Sequence, residues 1–191
     1  MALEGVDAND TSLQERIGKE LLTDRTFTYG EVNFPSFLPL LDFVKPQRGE
    51  IFYDLGCGSG QPLMIASLAF PTLKQCRGIE LLEDLAELGK TVAEKMCGIS
   101  NYRSIPCAPI TVVKGDILVE DWSDANIVFA ASVCFSNELL EAFADSCGKL
   151  QKGTRILFMN YIPERPYIKE IASWKAQFTW GLHMIKCYTI V

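Results

Sequence analysis

Short apolar runs alternate with amphipathic helical stretches along this chain. Residues 51–55 are β-branched and aromatic, as in a parallel strand that is covered on both faces, and residues 63–70 suit the helix that follows such a strand. Four further runs have the same character, at residues 75–79, 110–113, 125–131 and 154–159. The pattern therefore predicts five buried strands that are connected mainly by helices.

The last part of the chain has a different pattern. Residues 81–97 and 137–150 predict two more helices, but residues 167–179 and 182–191 alternate as strands on either side of Trp180 and Gly181. Two strands joined by so short a break form an antiparallel hairpin. We predict an α/β fold, a doubly wound and mostly parallel Rossmann-like sheet of seven strands that ends in this hairpin.

The first ten residues are small and polar, and we predict that residues 1–10 form a flexible N-terminus. From Thr11 onward, leucine and isoleucine recur at helical spacing, and a second helix is predicted between Asn33 and Pro46. At 191 residues and 48% apolar content, the chain suits a single domain that spans residues 11–191.

The predicted central strand carries an acid, Asp54, just before its last residue and leads into a turn with glycine at alternate positions, Gly56, Gly58 and Gly60. Glycine permits a tight turn with positive φ and has no Cβ, so a ligand can approach the main chain closely. The dinucleotide-binding pattern G-x-G-x-x-G/A would require glycine or alanine at position 61, where this chain has Gln61. The spacing disfavours a nicotinamide-dependent reductase.

An acid followed by three alternate glycines resembles the first motif of class I S-adenosylmethionine-dependent methyltransferases. The resemblance implies S-adenosylmethionine as the cofactor, with Asp54 near the positively charged end of its methionine moiety. Glu80 closes the second predicted strand, where a carboxylate can accept both ribose hydroxyls, or it serves only to start the next helix. Asp116 can accept from the adenine amino group while Ile117 covers the ring, although Gly-Asp is also a common turn.

Five segments support a narrower comparison: residues 28–31 (TYGE), 54–61 (DLGCGSGQ), 78–80 (GIE), 115–117 (GDI) and 131–135 (ASVCF). In this order they resemble the non-SET histone lysine methyltransferases, the family called disruptor of telomeric silencing, over roughly residues 26–191. Only the combination is specific, because the glycine turn and the GIE step occur in class I enzymes generally.

This family resemblance implies roles for individual residues. Tyr29, Gly30 and Glu31 would lie over the methionine end of the cofactor, and Gln61 would also reach it. The family places two asparagines before the aromatic stretch, where they line the channel of the substrate lysine, and this chain departs from the pattern there. Ala131 and Ser132 occupy these positions.

The departure affects the predicted acceptor channel. We expect Ala131 to line the cofactor site and the Ser132 hydroxyl to orient the acceptor amine. Phe135 keeps the aromatic position of the channel, and Tyr29 would help to close it. Asn160 or Tyr161, after the fifth predicted strand, is a further candidate contact of the acceptor, or simply a polar loop residue.

The favoured reaction is methyl transfer from S-adenosylmethionine to a nitrogen, with a protein lysine as the acceptor. The sulfonium already activates the methyl group, so positioning and desolvation of a neutral amine suffice and no catalytic histidine is required. Two alternatives remain open. One is methylation of a small metabolite or a different protein nitrogen, which the loss of the asparagine pair favours, and the other is a catalytically inactive cofactor-binding module.

Charge narrows the range of partners. With 18 basic and 24 acidic residues the net charge is −6, which opposes strong direct binding to nucleic acid or an acidic membrane and favours a basic protein substrate, a histone among them. The basic segment with which the family grips nucleosomal DNA is absent from this sequence, so we do not expect nucleosome methylation by this chain alone. The charge does not indicate the oligomeric state.

The histidine and cysteine content limits the kinds of metal, catalytic and disulfide sites that this chain can form. The one histidine, His183, leaves little for a metal site or a Ser-His-Asp triad, and we interpret it as an ordinary strand residue. Seven cysteines without a C-x-x-C pair indicate reduced thiols and a cytoplasmic or nuclear protein. No run approaches the ~18 apolar residues of a membrane span.

Overall fold

The computed structural model describes residues 7–18, 32, 34–178 and 181–191. Seven strands form one sheet in the order β3-β2-β1-β4-β5-β7-β6. Strands β1 to β5 are parallel, whereas β7 is antiparallel to both β5 and β6. The predicted fold class is thereby confirmed. The strands are β1 (Ile51–Leu55), β2 (Gln75–Glu80), β3 (Ile110–Lys114), β4 (Ile127–Ala130), β5 (Arg155–Met159), β6 (Ile168–Phe178) and β7 (Gly181–Ile190).

Five α-helices accompany the sheet within the described ranges: α1 (Ala8–Gly18), α2 (Phe34–Val44), α3 (Gln61–Ala69), α4 (Glu83–Arg103) and α5 (Asn137–Ser146). Helix α4 continues past the predicted end at residue 97 and stops at Ser104, whose φ of 55° lies in the left-handed region. Helix α2 contains Pro39 in its interior and ends before Pro46. The predicted cap of α2, Asn33, lies outside the described residues.

Helix α1 begins at Ala8, so residues 8–10 of the predicted flexible segment are helical, while residues 1–6 lie outside the described ranges. The residues that define its apolar pattern, Leu13 and Ile17, are 43% and 47% exposed. Ser12 and Glu15 are buried instead. The helical spacing of apolar residues therefore predicted the helix, but it did not predict which face of the helix is buried.

The core has one apolar cluster on each face of the sheet, because successive strand residues point to opposite faces. The first cluster lies under α2 and α3, where the ring of Phe37 makes edge contacts with Phe52 and Phe129 at centroid distances of 6.2 and 4.7 Å. The second cluster lies under α5, where Phe143 packs against Phe158 at 4.8 Å. Both faces of the central strands are covered, as the continuous apolar runs predicted.

The strand order reverses direction between β1 and β4, which are adjacent in the sheet although β2 and β3 come between them in the chain. Such a reversal opens a crevice at the carboxyl ends of the two strands, where α/β proteins bind ligands. Within the part of the chain that the structure describes, no helix has the length and apolar character needed to cross a membrane.

Candidate active site

The glycine turn after β1 adopts a conformation that only glycine accommodates without strain. Gly56, Gly58 and Gly60 have φ values of 83°, 52° and 83°. The Gly56 N–H donates to the Ile79 carbonyl oxygen at 2.8 Å, which fastens the turn to β2. A Cβ on Gly78 of β2 would lie 2.4 Å from the Cys57 sulfur, so the close approach of strand and turn also requires glycine there.

A cavity of about 490 Å³ opens at the carboxyl ends of β1 and β4, a size typical of small-molecule sites. Asp54, Glu80, Ser59 and Gln61 line it beside the glycine turn. We call the wall toward the second cluster the Ile117 side, which comprises Ile117, Leu118, Phe135 and Leu139. We call the wall toward the first cluster the His183 side, which comprises Val32, Phe129, Ala131, Val133 and His183.

Asp54 is the most unusual group in this cavity. The residue is 1% exposed, and its Oδ2 atom has no hydrogen-bond partner among the described residues. Burial, followed by the negative charge of Glu80, raises the pKa of the Asp54 carboxyl well above its usual 3.8. An ionised carboxylate that is buried without a partner is costly, and a ligand that brings a positive charge would offset this cost.

Glu80 faces the same cavity from the end of β2. Its Oε2 accepts the Gly58 N–H at 2.8 Å and its Oε1 accepts the Leu82 N–H at 2.9 Å. Burial raises the pKa of Glu80, the backbone N–H bonds oppose this, and the charge of Glu15 adds to it. Glu80 thus takes part in starting α4, the structural alternative in the sequence analysis, and still contributes to the cavity wall.

Asp116 and Ile117 follow β3 and line the cavity. The Asp116 carboxylate accepts the Leu118 N–H at 2.8 Å, which is the bond of an Asx turn. The Ile117 carbonyl oxygen accepts from the Trp122 indole at 2.8 Å. The same residues therefore form both the turn and part of the cavity wall. An ordinary turn at Gly115-Asp116 and a contact of Asp116 with the adenine are thus compatible.

Ser132 is not among the residues that line the cavity, so its placement does not support the acceptor role that the sequence suggested, which stays a prediction. The segment Ser132–Cys134 forms a short 3₁₀ turn after β4, and the fully buried Ser132 hydroxyl donates to the Met159 carbonyl oxygen of β5. Its neighbours Ala131, Val133 and Phe135 line the cavity instead. The turn directs this one side chain toward the neighbouring strand.

The other predicted acceptor contacts differ in their placement. Phe135 lines the cavity, and its ring packs against Phe158 and Phe143 at centroid distances of 6.0 and 6.5 Å. Asn160 and Tyr161 are exposed and do not line the cavity, so the structure does not bring them into the site. Asn160 has a φ of 76°, as in a polar loop residue.

Tyr29, Gly30 and Glu31, which the resemblance places over the methionine end of the cofactor, lie outside the described residues. Val32, which follows them in the chain, is buried and lines the His183 side of the cavity. The roles of the three residues remain predictions.

His183 lines the cavity, although the sequence analysis interpreted it as an ordinary strand residue. It precedes Ile185 by two positions on β7, so both side chains project from the same face of the sheet. Ile185 is fully buried in the first cluster together with Phe129. From the sequence, His183 could be placed only near the start of a predicted strand. That this position lies at the cavity depends on the strand order of the sheet.

The sheet order and the glycine turn after β1 define a class I, S-adenosylmethionine-dependent methyltransferase fold. Two solved structures share it. An RNA methyltransferase from Salinibacter ruber in complex with S-adenosyl-L-homocysteine has a TM-score of 0.63 at 18% identity and covers 84% of this chain and 93% of its own. TrmN from Thermus thermophilus has a TM-score of 0.67 at 16% identity, over 83% of this chain and 52% of its own.

Within this class, the chain belongs to the family described as Histone methylation protein DOT1, whose family model matches residues 19–177. It is 29% identical over 118 residues to a protein-lysine N-methyltransferase of Saccharolobus islandicus, which covers 62% of this chain and 66% of that protein. It is 28% identical over 137 residues to the H3 lysine-79 specific histone-lysine N-methyltransferase of Drosophila melanogaster. That match covers 68% of this chain but 7% of the relative.

Proposed function

We propose that this protein transfers a methyl group from S-adenosylmethionine to a lysine amine of a protein. The observation that carries the proposal is the buried, unpartnered Oδ2 of Asp54 in a cavity beside the glycine turn. A cofactor with a cationic methionine end supplies the missing partner. Membership of the histone methylation family and the two lysine methyltransferase relatives support lysine as the acceptor.

The residues that line the cavity beside the glycine turn fit this cofactor. Asp54 pairs with its ammonium group, and Glu80 accepts from the ribose hydroxyls through lone pairs not used by the backbone N–H groups of Gly58, Leu81 and Leu82. Gly56, Gly58 and Gly60 let the backbone approach the methionine moiety, and Gln61 contacts the same end. When bound, S-adenosylmethionine supplies a methyl group that its sulfonium has already activated.

The Ile117 side is suited to the adenine ring. Ile117, Leu118, Phe135 and Leu139 provide an apolar surface, and Asp116 provides an acceptor for an exocyclic amine. Phe135 packs on the rings of Phe158 and Phe143, which belong to the second cluster, and Ile117 also packs against that cluster. We therefore assign Phe135 to the adenine and not to the acceptor.

The His183 side is left for the acceptor. Its walls are mostly apolar, and Val32 and Phe129 are almost wholly buried. An apolar wall excludes water and disfavours the ammonium form of an entering lysine, so the amine is neutral when it attacks. The His183 imidazole provides a hydrogen-bonding group that orients the amine, the task first assigned to Ser132.

The substrate is a protein with an accessible lysine in a basic segment. The net charge of −6 attracts such a segment and does not favour an acidic polymer. A histone tail has this character. We place the reaction in the cytoplasm or nucleus, where the seven cysteines would remain reduced.

The test combines binding with substrate identification. Calorimetry with S-adenosylmethionine measures cofactor binding, with Asp54→Asn as a control of nearly equal size. The protein is then incubated with methyl-labelled cofactor and, separately, with histones, other lysine-rich proteins, RNA and a metabolite panel. We expect label on protein lysine in the wild type only. Cofactor binding without any labelling would indicate an inactive module, and label confined to RNA or metabolites would contradict the lysine assignment.

A further inference from the structure

Helix α4 starts without an N-cap side chain of its own. Leu82 occupies the N-cap position, and its side chain cannot accept a hydrogen bond. The first N–H groups of a helix nevertheless require acceptors. Glu80 accepts the Leu82 N–H, and Glu15 of α1 accepts the N–H groups of Glu83 and Asp84 at 2.8 and 2.9 Å. Two carboxylates from separate parts of the chain thus cap one helix.

Glu15 lies behind the wall of the cofactor cavity. It is 7% exposed, and the helix that carries it packs on α4 through Ala8, which clusters with Leu82 and Leu85. Leu82 and Leu85 also line the cavity. The same short stretch of α4 therefore contacts α1 on one side and the cofactor site on the other.

Glu15 and Glu80 accept different N–H groups at the start of α4. Because Glu15 accepts the N–H groups of Glu83 and Asp84, the Glu80 carboxylate serves the N–H groups just before α4, those of Leu81 and Leu82, and that of Gly58 in the glycine turn. Without Glu15, two partly buried N–H groups at a positive helix end lose their acceptor. The Glu80 carboxylate already accepts the Leu82 N–H at the start of the helix. It would therefore shift toward the N–H groups of Glu83 and Asp84.

We propose that Glu15 is a positioning residue for cofactor binding, which holds the start of α4 so that the Glu80 carboxylate stays directed at the ribose. This rests on the cofactor site of the proposed function. Helix α1 then contributes to cofactor binding, and cofactor affinity depends on a residue that does not line the cavity. Glu15 acts through Glu80, so its effect must disappear when Glu80 is absent.

A double-mutant cycle tests this dependence. Glu15→Gln keeps the size of the side chain and one acceptor oxygen, and we expect S-adenosylhomocysteine to bind about five- to tenfold more weakly by calorimetry, the size of a lost helix cap. In a Glu80→Ala background the same change should have no further effect. In turnover assays, the KM for the cofactor should rise while kcat at saturation is unchanged.

Gln14→Ala is the matched control, because Gln14 is exposed on the same helix. It should leave affinity unchanged, and urea unfolding without ligand shows whether each variant is folded. If Glu15→Gln does not fold, Glu15→Asp, which keeps the charge on a shorter side chain, replaces it with the same expectations. Equal affinity of the Glu15 variant and wild type, or additive losses in the double mutant, would overturn the inference alone. Failure of the wild type to bind would overturn the proposed function as well.

Discussion

Asp54 is the penultimate residue of β1 and Glu80 ends the neighbouring parallel strand β2, and the charge of Glu80, after burial, is the second cause that raises the pKa of Asp54. Burial also raises the pKa of Glu80 itself. Two acids that are reluctant to ionise thus lie on the wall of one cavity. A proton and the cationic group of the proposed cofactor would compete for the Asp54 carboxylate, which would link cofactor binding to pH.

The first prediction concerns this link. A carboxyl whose pKa is raised in the folded state stabilises the fold fully below its ordinary pKa, here 3.8 for Asp54 and 4.5 for Glu80, and that contribution is lost as pH rises through the raised values. A ligand ammonium group offsets the loss. We expect the gain in Tm from saturating S-adenosylhomocysteine to grow as the pH rises above the ordinary pKa values of these carboxyls, in thermal unfolding with and without ligand. A gain that is independent of pH would place the ammonium elsewhere.

Asp54→Asn tests the partner of the cofactor directly. The amide keeps the shape but cannot carry the negative charge, so affinity for S-adenosylmethionine should fall by about 1.5–3 kcal/mol in calorimetry, the range for a hydrogen bond to a charged group. The pH dependence of the ligand-induced Tm gain should become smaller. Asp124→Asn, which removes a partly exposed ion pair with Arg77, is the control and should leave affinity unchanged. Unchanged affinity of the Asp54 variant would remove this residue from the site.

Ser132→Ala separates a structural role from a catalytic one. The fully buried hydroxyl bonds to the Met159 carbonyl oxygen, and its removal takes this hydrogen bond away from a buried backbone acceptor. We expect a loss of about 1–3 kcal/mol in the free energy of unfolding, measured with urea, and a nearly unchanged kcat. A large fall in kcat with unchanged stability would restore the acceptor role that the sequence suggested.

His183→Phe tests the acceptor wall. Phenylalanine keeps a planar ring in the cavity but cannot hydrogen-bond, so kcat for a lysine peptide should fall about 10- to 100-fold while cofactor affinity is unchanged. His183→Asn, which retains a hydrogen-bonding side chain, should recover part of the loss. Steady-state kinetics with saturating cofactor measure both variants. Equal kcat in the wild type and the phenylalanine variant would exclude an orienting role.

Phe135→Ala decides between the two sides of the cavity. The half-buried ring packs against Phe158 and Phe143, so its removal enlarges the existing cavity and should destabilise the fold by about 1–3 kcal/mol. If it covers adenine, affinity for S-adenosylmethionine also falls, whereas kcat at saturating cofactor changes little. A fall in kcat at unchanged affinity would instead support the acceptor role that the family resemblance implied.

Much of the fold follows from local patterns. The run at residues 51–55 predicted a strand with both faces covered, and all five of its residues are buried. The alternation in residues 167–191 predicted the hairpin of β6 and β7. These predictions are confirmed because strand pattern and turn residues act over a few neighbouring positions.

The predictions that needed a contact partner were less complete. The sequence indicated a polar group after β4, but Ser132 turned out to bond to β5, 27 residues further along the chain. The start of α4 was placed near Leu81, yet nothing in that segment predicts that Glu15, 68 residues earlier, caps it. Likewise, the outward position of Leu13 and Ile17 depends on where α1 packs.

The order of residues alone determined the strands, the glycine turn and the acids at the strand ends, since each depends on backbone preference and spacing within a few positions. Only the tertiary structure decided which of those groups share a cavity. In that structure, the Oδ2 of Asp54 has no hydrogen-bond partner among the described residues, Ser132 bonds to Met159 of β5, and His183 lines the cavity. The reason is physical: hydrogen bonds and burial are settled between atoms that are close in space, and the packing of the sheet determines which atoms those are.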